Sequence, residues 1–323
     1  YAAISRPLPE TIDPMTSDTP TEPSARPNAT TYLMIAVITV LWGVNFPSLK
    51  VAVSEFPPWS FRVLCVVCGA TGLLSIAHFV FGHSLRVPKG ELRKLAIAAI
   101  LNITGFQLCV AFGLLLVEAG RGAVVAHTMP LWATIFAAIF LGERLTMARC
   151  LGLALGLSGL FILVSKDLVG LEGSPYGMGL ILCAAISWGA GTVVIKSQKW
   201  TTPVIVLTGW QFVLGGVPIL IGMLIFESNV EYQPLSINAW IAVLYSAFVP
   251  MIVCHLLWYT LIGMLPTAIA AISTLAIPIV GVYSSALLLG EQVGTREWIS
   301  LALVVVAIGI VLSPTGLWRR FCL

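Results

Sequence analysis

The chain has 323 residues, of which 17 are Lys or Arg and 14 Asp or Glu, so 10% are charged while 58% are hydrophobic. A soluble domain carries roughly 25% charged residues. With a mean hydropathy of +0.98, this sequence cannot cover a water-facing surface and reads as a polytopic membrane protein. A net charge of +3 with no basic-aromatic cluster argues against a nucleic-acid partner.

In chain order, residues 1–30 come first, punctuated by Pro7, Pro9, Pro14, Pro20, Pro23 and Pro27 among Ser, Thr, Asp and Glu. Such a stretch buries too little apolar area to offset its ordering entropy and reads as a weakly structured tail. It has no apolar core of the kind a secretory signal carries. From residue 31 onward, apolar runs of about twenty residues alternate with short polar breaks, and about twenty residues of helix cross a bilayer core. Ten spans are predicted near 31–53, 59–82, 93–117, 120–141, 146–165, 175–197, 203–226, 237–262, 266–290 and 296–314. Residues 315–323 form a short tail, and no loop is long enough for a soluble catalytic domain.

Lys and Arg are unevenly divided between the two sides. With the N-terminus inside, twelve (Arg6, Arg26, Arg86, Lys89, Arg93, Lys94, Arg144, Arg149, Lys196, Lys199, Arg319, Arg320) face the cytoplasm. Four (Lys50, Arg121, Lys166, Arg296) lie opposite. The positive-inside bias therefore places both termini in the cytoplasm. Cys65 and Cys68 have C-x-x-C spacing, but no second pair or His pair accompanies them. No metal site or cofactor is expected, and the cysteines read as small packing residues.

The halves repeat each other. Trp42-Gly43 followed by Lys50 recurs as Trp188-Gly189 followed by Lys196, an offset of 146. Pro130 recurs as Pro278, and Leu141-Gly142-Glu143 as Leu289-Gly290-Glu291, both at 148. Five spans is an odd number, so the second half (175–314) is inverted relative to the first (31–165), a recurrent architecture of transporters.

In these motifs the sequence resembles the EamA-type members of the drug/metabolite transporter superfamily, over residues 31–314. The resemblance implies an all-α membrane fold, a five-plus-five inverted repeat around a central cavity, and an alternating-access carrier. It also implies a multi-pass protein of the bacterial inner membrane that exports amino acids or related metabolites. Spans five and ten would lie away from the cavity. The Gly152-x-x-x-Gly156 and Gly159 pattern of span five then reads as intramolecular packing, with a monomer or weak homodimer as the assembly.

Polar groups inside apolar spans are costly in lipid and usually face a bundle interior or a wet cavity. By depth, the cavity candidates are Trp42, Asn45, Phe46, Gln107, His127, Thr128, Trp188, His255, Trp258, Tyr259, Ser273 and Thr274. For the Trp-Gly tryptophans, helix packing stands beside substrate contact. Asn102 and Gln211 read as interhelical hydrogen-bonding partners. His127 lies one turn before Pro130, whose missing N–H frees a carbonyl, so its ring could contact that backbone, bind a substrate carboxylate or exchange a proton. Pro47, Pro130, Pro250 and Pro278 are candidate hinges. Trp59, Trp200, Trp240, Trp298 and Trp318 read as interfacial anchors. Lys50 and Arg62 read as snorkelling cations, with an Arg62–Glu118 pair as an alternative for Arg62 and attraction of a carboxylate entering from the periplasm as a further reading of either.

No Asp lies in any span and every Glu sits at a span end or in a loop, which leaves only the two histidines for proton coupling. The expected function is facilitated export of a small organic solute, with aromatic or other apolar amino acids the first class. A multidrug or other metabolite exporter is the alternative. An intramembrane enzyme is the rival from another class, and the chain offers neither a Gly-x-Ser-x-Gly nor a His-Glu-x-x-His to support it, so no catalytic residue is assigned.

Overall fold

A computed structural model describes residues 29–143, 145–168, 174–264 and 276–312, the side chains at 164, 166–168, 259, 262–264 and 311–312 excepted. The Pro-rich segment through residue 28, the segment 313–323 with Trp318, Ser273, Thr274 and the Tyr259 side chain lie outside the described residues. Described secondary structure is entirely helical and forms ten stretches. These are α1 (Ala29–Glu55), α2 (Pro58–Val80), α3 (Lys89–Leu116), α4 (Ala119–Leu141), α5 (Met147–Leu168), α6 (Pro175–Lys196), α7 (Val204–Phe226), α8 (237–264), α9 (Ile277–Leu289) and α10 (Thr295–Leu312). Seven of them, α1–α4 and α6–α8, are long and apolar enough to cross a membrane.

Helix α7 shows why these segments settle as they do. Gln211, Gly215, Ile219 and Gly222 are buried on one face, while Val217, Leu220, Ile221, Leu224 and Ile225 are exposed on another. A helix that is apolar on both faces is stable only where its outer face meets lipid rather than water.

The most extensive helix pairings all join one repeat to the other: α5 with α10, α2 with α7, α3 and α4 with α6, and α9 and α8 with α1. Along α2, Trp59, Val66 and Leu74 abut Gly222, Gly216 and Gly209 in turn. Residue numbers rise on one helix as they fall on the other, so these equivalent helices are antiparallel. Helices α5 and α10 behave alike: Gly156 faces Ala307, Gly159 faces Leu303, and Ser300 Oγ donates to the Gly159 carbonyl at 2.7 Å. The small residues of α5 thus let α10 approach within the molecule. The repeat is inverted in space as it is in sequence.

Both glycines of the Trp-Gly motifs mark helix crossings. A Cβ on Gly43 would lie 2.5 Å from Val280 Cγ1 of α9, and one on Gly189 would lie 2.8 Å from Ala133 N and Trp132 Cβ of α4. The Leu-Gly-Glu motifs end α4 and α9 identically. Gly142 (φ 67°) and Gly290 (φ 68°) adopt the left-handed conformation that stops a helix and that a side chain disfavours.

The prolines occupy distinct positions. Pro130 opens the second part of α4 after a turn at His127–Thr128, and Pro278 is the second residue of α9. Pro250 lies in a π turn, Val249–Cys254, while α1 continues through Pro47. Another π turn, Ile100–Gly105, interrupts α3 at the equivalent place, and a third, Ile76–Val80, ends α2.

Candidate functional site

The π turns of α3 and α8 decide which side chains meet at the middle of the bundle. Each widens its helix by one residue per turn, and the residue that follows is Phe106 in α3 and His255 in α8. Phe106 packs edge-on against Trp188, centroids 4.8 Å apart. His255 packs edge-on against Trp42 at 5.8 Å. Each Trp of a Trp-Gly motif therefore meets a ring presented by the other repeat.

Around His255 the cluster widens. Trp42 also meets Trp258 at 6.1 Å, and Phe212 of α7 lies 5.4 Å from the imidazole. Phe46, one turn along α1 from Trp42, lies 5.5 Å from His127 of α4. Trp42, His127, Trp188, His255 and Trp258 are all half-buried, although each reaches the bundle interior. Rings from α1, α4, α7 and α8 thus converge.

Both histidines are held through Nδ1. His127 Nδ1 donates to the Ala123 carbonyl and His255 Nδ1 to the Pro250 carbonyl, each at 2.7 Å. A carbonyl only accepts, so the proton sits on Nδ1 in both. The acceptor for His127 is the carbonyl four residues back, not one freed by Pro130 as the sequence suggested, because the turn at 127–128 directs the ring back along its own helix.

The other candidates divide. Gln107 Nε2 donates weakly to Met251 Sδ at 3.7 Å, joining α3 to α8. Asn45 Oδ1 is buried without a partner among the described residues. Thr128 is fully buried; its hydroxyl donates to the Val125 carbonyl at 2.7 Å and accepts from Trp132 Nε1 at 3.2 Å, so it belongs to local packing. Asn102 Nδ2 donates to Gln211 Oε1 at 3.1 Å, the interhelical bond expected of that pair.

The bundle ends are built by charged residues that depth alone did not single out. Glu143, beyond the Gly142 stop, accepts from Lys196 Nζ of α6 at 2.7 Å and from Arg149 at 3.2 Å. The Lys196 hydrogen bond, with Arg149 adding to it, holds the Glu143 carboxyl below its usual range. About 34 Å away, at the other end of the 23-residue α4, the equivalent pair is Glu291 and Lys50. Here Glu291 accepts from the Ala119 and Gly120 N–H groups at 2.7 and 2.9 Å, capping α4. Lys50 Nζ donates to the carbonyls of Leu114 and Val117 at the end of α3. Both line a crevice of about 620 Å³ with Glu118, Arg121, Arg296 and Glu297. Partial desolvation there, with the Glu291 carboxylate nearby, pushes Glu118 up.

Two sequence expectations are corrected. Lys50 does not snorkel but closes the end of α3. Arg62 neither snorkels nor pairs with Glu118; it is fully buried between helices. Trp59, at the start of α2, stacks on Phe226 at 5.5 Å and meets Phe112 at 5.7 Å, and Gly222 leaves room for its ring.

Two inverted five-helix units meeting at a ring-lined centre define a membrane transporter architecture. Residues 29–165 and 175–313 each match the EamA-like transporter family, and the chain belongs to that family. It is 26% identical to the uncharacterized transporter YoaV of Bacillus subtilis, over 89% of this chain and 98% of that one. It is also 26% identical to the probable amino-acid metabolite efflux pump of Escherichia coli K12, over 89% of this chain and 96% of that one. A protein of known crystal structure superposes with a TM-score of 0.63 over 91% of this chain and 99% of that one, at 21% identity, which shows the shared fold. The chain is a multi-pass membrane transporter.

Proposed function

We propose that this transporter exports small organic solutes by alternating access, with aromatic or other apolar amino acids as the first class. The observation that carries this reading is the meeting of Trp42, Phe46, His127, Phe212, His255 and Trp258 from both repeats. Apolar rings with a few fixed polar groups suit a solute that has an apolar body and one polar head. The Escherichia coli relative, named as a probable amino-acid metabolite efflux pump, supports the same class.

In this reading all ten helices span the bilayer, and the Lys and Arg bias places both termini and the Lys196 end in the cytoplasm of an inner-membrane protein. The Glu143–Lys196 bond closes the cytoplasmic end, and the Lys50 crevice is the outer mouth. Exchanging the conformations of the repeats would join Lys50 to Glu291 and part Lys196 from Glu143. Pro130, Pro250 and Pro278 sit at helix starts or in a π turn, where a change of angle breaks few backbone bonds. Described carboxylates cluster at the two ends, so movement follows the solute gradient without strong ion coupling, and no catalytic chemistry is assigned.

Efflux from liposomes holding purified protein and a mixture of amino acids tests this, read by mass spectrometry with and without a pH gradient. Selective loss of aromatic and aliphatic amino acids is expected. Release no faster than from protein-free liposomes removes the amino-acid assignment, and release of amphipathic drugs instead would establish the multidrug alternative. Strong acceleration by the pH gradient would overturn uncoupled movement.

A further inference from the structure

Arg62 stands one turn into α2 and is 1% exposed, the most buried charged residue among those described. Its guanidinium lies 5.1 Å from the centroid of the Phe61 ring, with the Cys65 sulfur, at most a weak acceptor, beside it. Among the described residues, Nε, Nη1 and Nη2 have no hydrogen-bond partner. Buried polar groups in folded proteins are almost always bonded, and a guanidinium carries five N–H donors in one planar fork. The edges of such a fork match a planar anion, the two-point contact a carboxylate makes.

Most of the described carboxylates at this end are engaged elsewhere, and Glu231 is exposed in the loop after α7. Glu227 accepts from the N–H groups of Trp59 and Ser60 and from Ser60 Oγ. Glu55 accepts from Ser236, and Glu291 caps α4. Glu118 faces the crevice with Lys50 and Arg121. Residues 262–275 contain no Asp or Glu.

The position of Arg62 on α2 links it to the ring cluster. Gly69 is seven residues further on, which puts it on the same helix face about 10 Å away. Gly69 abuts the Phe212 ring, and Phe212 meets His255. Val66 lies between Arg62 and Gly69 and packs on Gly216, so a carboxylate reaching Arg62 as α2 and α7 part would lie on the face of α2 that leads to Phe212, His255 and Trp42. Resting on the transporter reading above, we infer that Arg62 binds the carboxylate of the transported solute and that the cargo is an organic acid with an apolar body of amino-acid size.

The test uses the full chain with Arg62→Met, a substitution of similar length without charge, and Arg62→Lys. The probes are phenylacetate and phenylacetamide, read by thermal melting in detergent, and phenylalanine, read by efflux from liposomes. Phenylacetate is expected to raise the melting midpoint of the wild-type chain, whereas phenylacetamide leaves it unmoved. Without ligand, R62M should melt at or above the wild type, because replacing an unpaired buried charge by apolar bulk removes a desolvation penalty. It should lose the phenylacetate response and about tenfold or more of phenylalanine efflux, the loss expected of one charge-assisted contact. R62K should keep a weakened response, since an ammonium is a point charge rather than a fork.

An unmoved wild-type midpoint, an equal phenylacetate shift in R62M, or an R62M chain that melts below the wild type would each overturn the inference. If phenylacetate acts through Arg62 while liposomes release no amino acid, the Arg62 anion site stands and the amino-acid transport reading falls.

Discussion

Trp188 meets Phe106 and Trp42 meets His255 at the same place in the fold, on opposite sides of its internal symmetry. The backbone devices match on both sides: a Trp-Gly pair, a π turn, and a glycine notch that admits a neighbouring helix. Ring chemistry is what differs. One side presents a phenyl group, while the other presents an imidazole whose Nδ1 is fixed by the Pro250 carbonyl. The ends of α4 show the same split, with a direct Glu143–Lys196 bond at one and Glu291 and Lys50 bonded apart at the other. An inverted repeat needs matching backbones so that two conformations can interconvert. A cargo site needs unlike side chains so that a solute with two unlike ends has one orientation.

The helix crossings offer the largest effect for breaking this correspondence. Gly43→Ala and Gly189→Ala should each cost about 1–3 kcal/mol by overpacking, read as a lower melting midpoint in detergent. Val280→Gly removes the two nearest atoms that the Gly43→Ala methyl would meet, leaving the Ile277 carbonyl oxygen at 3.1 Å, and should partly ease that variant alone. No such trimming relieves Gly189→Ala, whose methyl meets the Ala133 backbone nitrogen. Equal behaviour with and without Val280→Gly would show that the α1–α9 crossing lies elsewhere.

A smaller loss is expected where the repeats are tied by one buried hydrogen bond. Asn102→Ala should cost about 0.6–1.7 kcal/mol. A double-mutant cycle with Gln211→Ala should show that the two effects are not additive; additive effects would mean the pair is not bonded.

The ends of α4 call for a measurement of opening. A half-exposed ion pair contributes about 0.2–1 kcal/mol. Glu143→Gln should therefore increase labelling of a cysteine probe at the Lys196 end by roughly 1.4- to 5-fold. The charge-swapped pair Glu143→Lys with Lys196→Glu should restore it, whereas labelling left unchanged by Glu143→Gln would remove the latch.

The smallest effect is a null one. The Lys196 hydrogen bond depresses the Glu143 pKa, so its stabilisation is complete above the ordinary carboxylate value of about 4.3 and fades only as pH falls through the lower folded value. Labelling at that end should be flat from neutral pH to about pH 5. Glu118, shifted the other way, takes up its proton first on acidification. A rise in labelling within that window would mean that Glu143 does not hold the closed end.

Much of this fold was legible in the sequence because lipid removes alternatives: runs of twenty apolar residues leave a helix little else to do. The Trp-Gly and Leu-Gly-Glu motifs were legible as repeats because both halves keep the same letters. Why they recur was not, since each Gly answers to a helix more than fifty residues away in one half and more than two hundred in the other. The Phe106–His255 equivalence was hidden twice over: the letters differ, and the offset there is 149, where the repeated motifs have 146 or 148. For Arg62, a place one turn from a span start reads as an easy route to water. Its burial is imposed from outside α2 by the helices packed over it. Glu143 and Lys196 were visible as motif letters, but a linear sequence carries no sign that they bond to each other.

The pairing of α1 with α9 also bears on synthesis. Gly43 leaves the ribosome more than two hundred residues before Val280, the side chain that fills its notch. A shorter delay of about 150 residues, as between Val66 and Gly216 or Gly156 and Ala307, holds for α2 awaiting α7 and α5 awaiting α10. The first five helices are therefore made with their close-packing surfaces unfilled, and the bundle closes only when the second five arrive.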